Sequence, residues 1–195
     1  MRIFVDMDST LNDFTKGYVT YYNRLYNENI KLEHKDLLRY EISKALPGVS
    51  DKEAFEIREN IFSTNGFWKD IPIMKNAINI MKELYDNYNV YIVTAPWKSS
   101  LNCYNEKIEW IAKHMPWFDL DKVIYCRDKH LLRGDIIIDD NPYYLTNHSC
   151  EWALAPTYPF NKNLPVFYFK NWKEVPDIID EIVNIKNEFG GTKWH

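Results

Sequence analysis

Cysteine is scarce: three residues in a chain of 195, none in a CxxC spacing. Cys103, Cys126 and Cys150 are odd in number and far apart, which excludes a disulfide framework and a cysteine-ligated zinc site. They read as buried thiols of a reducing compartment. No apolar run approaches the length needed to cross a bilayer, and the opening stretch Met1 to Val5 meets Asp6 and Asp8 before a signal-peptide core can form. The expectation is a cytoplasmic protein without membrane contact. Acidic residues outnumber basic ones, 28 to 24, and no basic run is long enough to follow a nucleic-acid backbone. Polymeric DNA or RNA is therefore not an expected partner. Internal repeats and low-complexity segments are also lacking.

What is present is an ordinary globular composition, 46% hydrophobic and 27% charged, in a length that suits one core domain carrying a small insertion. Short β-branched or aromatic runs recur at Ile3 to Val5, Val90 to Val93, Val123 to Tyr125, Ile136 to Ile138, Trp152 to Ala155 and Val166 to Phe169. They predict strands buried on both faces. Between them lie helical periods, Ile78, Met81, Leu84 and Tyr85, then Ile108, Ile111 and Ala112, and last Val175, Ile178, Ile179, Ile182 and Ile185. This alternation predicts an α/β fold, a Rossmann-like and mainly parallel sheet flanked by helices.

From about residue 15 to 73 the alternation stops. Tyr18, Tyr21, Tyr22 and Leu25, then Leu37, Leu38, Ile42 and Leu46, follow helical spacings without a convincing strand, and turns fall at Pro47-Gly48 and Asn65-Gly66. Asp51 is the expected cap of the helix after the first of these turns. The reading is a core of residues 1–14 and 74–195 with a helical insertion at 15–73 after strand one, and a frayed tail from Gly190 to His195.

Two apolar strands end in paired carboxylates. In Val5-Asp6-Met7-Asp8 the aspartates stand two apart, so an extended chain presents both on one side. Carboxylates held that close repel unless a cation joins them or one keeps a proton. Ile136-Ile137-Ile138 delivers Asp139 and Asp140 at a second strand end, the edge where open α/β sheets bind ligands. Either pair alone is what a turn or a helix cap would show, but four acids on one edge call for a cation such as Mg²⁺. Thr94 ends a further strand and Lys129 precedes the second acidic pair, a hydroxyl and an ammonium of the kind that hold phosphoryl oxygens.

The order DxDxT, Thr94, Lys129, Asp139-Asp140 resembles the haloacid dehalogenase-like phosphohydrolase superfamily. More narrowly, Val5 to Leu11, Asp13-Phe14, Thr94-x-Pro96-x-Lys98, Tyr104-x-Glu106-Lys107, Arg127-Asp128-Lys129 and Ile138-Asp139-Asp140-x-Pro142 look like the 5'(3')-deoxyribonucleotidases. The resemblance implies a nucleophile at Asp6, an acid and base at Asp8, and Mg²⁺ held by Asp6, the Asp8 main-chain carbonyl and Asp139. It also implies phosphate contacts from Thr94 and Lys129, with Asp140 positioning Lys129 or a metal-bound water. Strand alternation argues against Asp139 and Asp140 both reaching the metal.

The implied substrate is a nucleoside monophosphate, with Phe14, Tyr40, Trp68, Ala95 and Lys98 as binding residues and Phe67 as a further aromatic of the pocket. The insertion would be the cap that closes the site, and a homodimer is allowed. Ala95 and Trp97 stand where mammalian members have serine and isoleucine, and Asn141 replaces an arginine, which leaves the base and sugar preference open. Two alternatives stand beside this reading: a phosphatase for another small phosphoester, and a nucleotide-binding module without turnover.

Overall fold

The computed structural model describes residues 1–189, so the expected frayed tail lies outside the described residues. Six parallel strands form one sheet in the order β3-β2-β1-β4-β5-β6, with β1 at Arg2–Val5, β2 at Asn89–Thr94, β3 at Val123–Tyr125, β4 at Ile136–Ile138, β5 at Trp152–Pro156 and β6 at Phe167–Phe169. Each matches an apolar run of the sequence. Burial on both faces holds for the centre of the sheet, Ile3, Phe4, Val5 and the whole of β4, whereas the edge strand β3 is half-buried throughout. The expected α/β class is the observed one.

Helices α4 (Ala77–Asn87), α5 (Asn102–His114) and α7 (Val175–Phe189) contribute Met81, Leu84, Trp110, Ile111, Ile179 and Ile182 to the main core, against Ile3, Val5, Ile92, Ile136, Ile138 and Leu154. The opposite face packs Phe4, Val93, Ile137, Ala153 and Ala155 beneath Leu145 of α6, Pro142–Thr146. Among the described residues no helix is long and apolar enough to cross a membrane. All three cysteines are free, with Cys103 buried; Cys126 and Cys150 are only half-buried, a correction to the expectation for those two.

Between β1 and α4 the chain builds α1 (Phe14–Tyr26), α2 (Asp51–Ser63) and α3 (Phe67–Asp70) around a second apolar cluster of Tyr18, Tyr21, Tyr22, Ile61, Phe62, Phe67 and Trp68. Asp13 caps α1 by accepting the Lys16 amide at 3.0 Å. Two expectations fail here. Ser50, not Asp51, caps α2, through a reciprocal box with Glu53, because Ser50 keeps the extended backbone a cap needs and Asp51 is already helical. The Leu37 to Leu46 stretch forms only one short 3₁₀ turn, Ile42–Ala45, and a second, His34–Asp36, precedes it. Leu37, Ile42 and Leu46 are buried while Leu38 stays 81% exposed, so their spacing reflects anchoring of a loop and not one helical face.

The insertion is fastened to the sheet side by a carboxylate on the buried stripe of α5. On α5 the buried positions are Cys103, Glu106, Lys107, Trp110 and Ile111. Glu106 accepts the backbone amides of Gly66 at 2.7 Å and Trp68 at 3.0 Å, capping α3 from another element. Gly66 opens that helix with φ +90°, a conformation that favours glycine. Glu106→Ala strands two buried donors, each worth about 1–3 kcal/mol. Its Tm is expected to fall by about 5–12 °C, and that of Glu106→Gln, which keeps one acceptor, by less; differential scanning calorimetry checks the order.

Candidate active site

The register of two parallel strands assembles the centre. Val5 of β1 pairs with Ile138 of β4, so the next residues, Asp6 and Asp139, leave adjacent strands side by side. The Asp6 amide donates to the Ile138 carbonyl at 2.8 Å, extending the ladder by one bond. On its other side β1 pairs Val5 with Ile92, which brings Thr94 to the same edge. The chain runs from β1 outward to β2 and β3, then crosses back to β4, and a sheet opens a crevice at that reversal.

Met7 is fully buried in the core while Asp6 and Asp8 face a cavity, the alternation expected of an extended DxD. The chain then turns sharply. The Met7 carbonyl accepts from Leu11 and Asn12, and Ser9 takes a positive φ of 58°. Asn12 bonds the Ser9 amide at 3.2 Å and the Asp8 carboxylate at 3.0 Å, fixing the second aspartate through the turn.

Asp6, Asp139 and Asp140 are buried and each offers a carboxylate oxygen within 4.8 Å of the others. Asp139 and Asp140 lie just past the end of β4, and Asp139 lines the cavity while Asp140 does not. Lys129, also buried, donates to Asp6 at 2.5 Å and to Asp139 at 2.6 Å. In this arrangement it is Asp139, rather than Asp140, that holds the lysine. Asp139 is fixed on its other oxygen by the Asn141 amide at 2.8 Å.

Burial, aided by Asp139 and Asp8 and opposed by Lys129, pushes the Asp6 carboxyl up to about 7. Burial pushes Asp140 well above the carboxylate range, with Asp139 and Asp6 adding to it. For Lys129 burial acts downward, but the Asp139 and Asp6 charges outweigh it and hold the ammonium above its ordinary range. One ammonium does not neutralise three clustered carboxylates. The raised carboxyls show how poorly the cluster holds its negative charge alone, and a cation can take the place of those protons; the all-oxygen donor set fits a hard divalent one.

The cavity has a volume of about 250 Å³, the scale of a small-molecule site. Asp6, Asp8, Lys129 and Asp139 line it from the sheet edge, together with Ala95 and Arg127, Phe14 lines it from the start of α1, and Tyr40, Arg58, Phe62 and Trp68 line it from the insertion. Phe14 sits edge-on to Phe62 at 5.7 Å and to Phe67 at 5.8 Å. Trp68 is buried and donates to the Phe62 carbonyl, so one ring serves both the cluster and the wall. Tyr40 is half exposed, edge-on to Phe160 at 5.7 Å. Phe67 lies in the apolar cluster and does not reach the wall.

Three expected residues are also set back from it. Lys98 is exposed in a neighbouring groove with Arg58, Trp97 and Arg127. Asp140 is buried behind the wall, and Thr94 lies fully buried, accepting at 2.7 Å from Lys107. Lys107 itself bonds the Asp8 carboxylate, a role that sequence reading missed. The signal was available: Lys107 occupies an apolar-stripe position of α5, where a lysine is buried only if paired. Arg58, placed over the Trp97 ring at 4.8 Å, was also missed and carries no comparable sequence signal.

The family model described as 5' nucleotidase, deoxy (pyrimidine), cytosolic type C protein matches residues 1–187. The human cytosolic-type 5'(3')-deoxyribonucleotidase is 30% identical over 197 residues, covering 91% of this chain and 94% of the human one. The 5'(3')-deoxyribonucleotidase of Clostridium acetobutylicum is 29% identical over 143 residues, covering 73% and 74%. Among solved structures, a haloacid dehalogenase family hydrolase of Deinococcus radiodurans, with bound phosphate and sodium, superposes with TM-score 0.60 at 10% identity over 93% of this chain and 96% of that one. A putative hydrolase of the same superfamily from Bacillus subtilis gives 0.59 at 13% identity, covering 92% and 98%. The fold is thus the haloacid dehalogenase-like one.

Proposed function

This chain belongs to the family of cytosolic type C 5'-nucleotidases, and we propose that it is a Mg²⁺-dependent 5'(3')-deoxyribonucleotidase that dephosphorylates nucleoside monophosphates. The observation that carries the reading is the β1–β4 register, which sets Asp6 beside Asp139 and Lys129 with Asp8 facing the same cavity. A mere binder has no use for a proton donor beside a nucleophile.

In the proposed reaction an Asp6 oxygen attacks phosphorus. The new bond makes an aspartyl-phosphate as the bond to the ester oxygen breaks, dividing one hard displacement into two easier ones. Asp8 gives its proton to the departing oxygen, then takes one from the water that releases phosphate. Its side chain is 24% exposed against 10% for Asp6, as suits the group that handles leaving group and water. Asn12 and Lys107 hold it in place. Lys129 orients the nucleophile, and Lys129 and Thr94 supply donors for the phosphoryl oxygens, Thr94 from its place behind the wall. Asp6, Asp139 and the Asp8 carbonyl would hold Mg²⁺, which supplies neutralisation of the charge on the phosphoryl group when bound.

Residues 15–73 act in this reading as the cap, placing Tyr40 and Trp68 over the leaving group beside Phe14 at the start of α1, and Lys98 meets substrate only at the entrance. A cytoplasmic site of action, as named for the human relative, and a homodimer belong to the same proposal. Phosphate release is measured on ribo- and deoxyribonucleoside monophosphates and sugar phosphates, with Mg²⁺ and with EDTA. Mg²⁺-dependent release chiefly from deoxynucleotides is expected. Turnover confined to other esters would keep the chemistry and discard the substrate, and no turnover at all would leave a binding module.

Phe14 tests the substrate half alone. Phe14→Ala is expected to raise KM for deoxynucleotides by about tenfold, the scale of one lost stacking contact. Activity toward p-nitrophenyl phosphate should change little, and equal losses on both would assign Phe14 to packing.

A further inference from the structure

A second and larger cavity, about 630 Å³, lies apart from the catalytic one, between α1, the loop at residues 30–35 and the ends of β5 and β6. Its wall is cationic in a protein that is acidic overall. Five of its 20 lining residues are lysines, Lys16, Lys31, Lys35, Lys75 and Lys170, against two carboxylates. Both carboxylates are engaged: Asp13 caps α1 and faces His34 at 3.4 Å, and Glu33 pairs with Lys35 at 2.8 Å. Lys16, Lys31, Lys75 and Lys170 form no ion pair among the described residues, so four ammonium groups surround one concavity with their charge unmatched.

Two buried polar atoms of the same wall also lack a hydrogen-bond partner. They are the Thr10 hydroxyl, on a residue 1% exposed, and Nε2 of His34. Buried groups of this kind are ordinarily satisfied by ordered water or a ligand. The His34 ring lies flat on Tyr158, at 4.4 Å and 13°. With Nδ1 turned to Asp13, a neutral ring leaves Nε2 as an acceptor. An acceptor there suits a ligand hydroxyl or amino group and not a phosphate oxygen, and because the atom is closed to solvent in this structure the ring has to turn to offer it. Leu32, Met74 and Trp172 supply apolar surface beside it.

We propose that this cavity is a second binding site, for a small polyanion with an apolar, hydroxyl-bearing body: a nucleoside di- or triphosphate. The lysines take the phosphates, and the His34, Tyr158 and Leu32 side receives the nucleoside. Such a ligand would be felt at the catalytic loop, because the Tyr158 hydroxyl donates to the Ser9 carbonyl at 2.8 Å and the Trp172 indole to the Thr10 carbonyl at 2.9 Å.

The test is calorimetric titration of the full chain with a β,γ-imido nucleoside triphosphate, which carries no phosphomonoester, and with inorganic tripolyphosphate. Wild type is compared with Lys75→Glu/Lys170→Glu, whose two positions are exposed and outside the catalytic cavity. The nucleotide is expected to bind wild type and to bind the double variant at least about tenfold more weakly, given the strength of charge-assisted contacts. KM for p-nitrophenyl phosphate should be unchanged. Equal affinity for both proteins, or no heat with wild type, overturns the proposal. Tripolyphosphate binding as tightly as the nucleotide overturns the nucleoside assignment. If the variant does not fold, acetylation of wild-type lysines decides: the nucleotide should slow labelling of Lys16, Lys31, Lys75 and Lys170 but not of Lys52, and uniform labelling refutes the site.

Discussion

Asp6→Asn is expected to lower phosphomonoester hydrolysis by about 10⁴-fold or more, the scale on which removal of a covalent nucleophile acts. Asparagine fills nearly the same volume and still accepts from Lys129, so the fold should survive. Its stability above neutral pH should even gain. Asp6 is pushed up to about 7 by burial and by its acidic neighbours, so its folded state favours the neutral form. The stability tied to that proton is present below the ordinary carboxylate range and is lost as pH rises through about 7. An amide stays neutral throughout. Phosphate-release assays and thermal unfolding in EDTA at pH 8 measure both halves, and near-normal turnover by the variant would refute the nucleophile.

Asp8→Asn removes the proton carrier while keeping the nucleophile. Both chemical steps should slow, by about 10²–10⁴-fold, the usual contribution of a positioned acid or base. The two steps separate with a good leaving group. From p-nitrophenyl phosphate the phenolate departs without needing a proton, so a burst of about one equivalent should precede slow turnover. Acid-quenched protein should then carry phosphate on Asp6. Full steady-state turnover by Asp8→Asn would remove Asp8 from the mechanism.

The strands, their order of appearance and the interruption after the first of them were legible because apolar runs bounded by turn residues leave few alternatives. The stretch from Leu37 to Leu46 was not. Three buried side chains at near-helical spacing arise equally from a helix and from a loop pinned at intervals, and only the packing of the insertion distinguishes these. The cap of α2 turned on one residue's backbone angles, which composition does not carry.

Sequence by itself determined the acid pairs at strand ends, because two-residue alternation points Asp6 and Asp8 one way whatever surrounds them. It determined the α/β class for the same reason, through local periodicity. Only the tertiary structure decided which groups meet. Sheet order put β4 beside β1, and that adjacency brings Asp139 and Lys129, more than 120 positions along the chain, to within hydrogen-bonding distance of Asp6 or of each other. The same folding turned Lys107 of α5 onto Asp8 and set Lys98 outside the cavity. Partners of a buried charge are chosen by desolvation in three dimensions, where sequence separation has no weight.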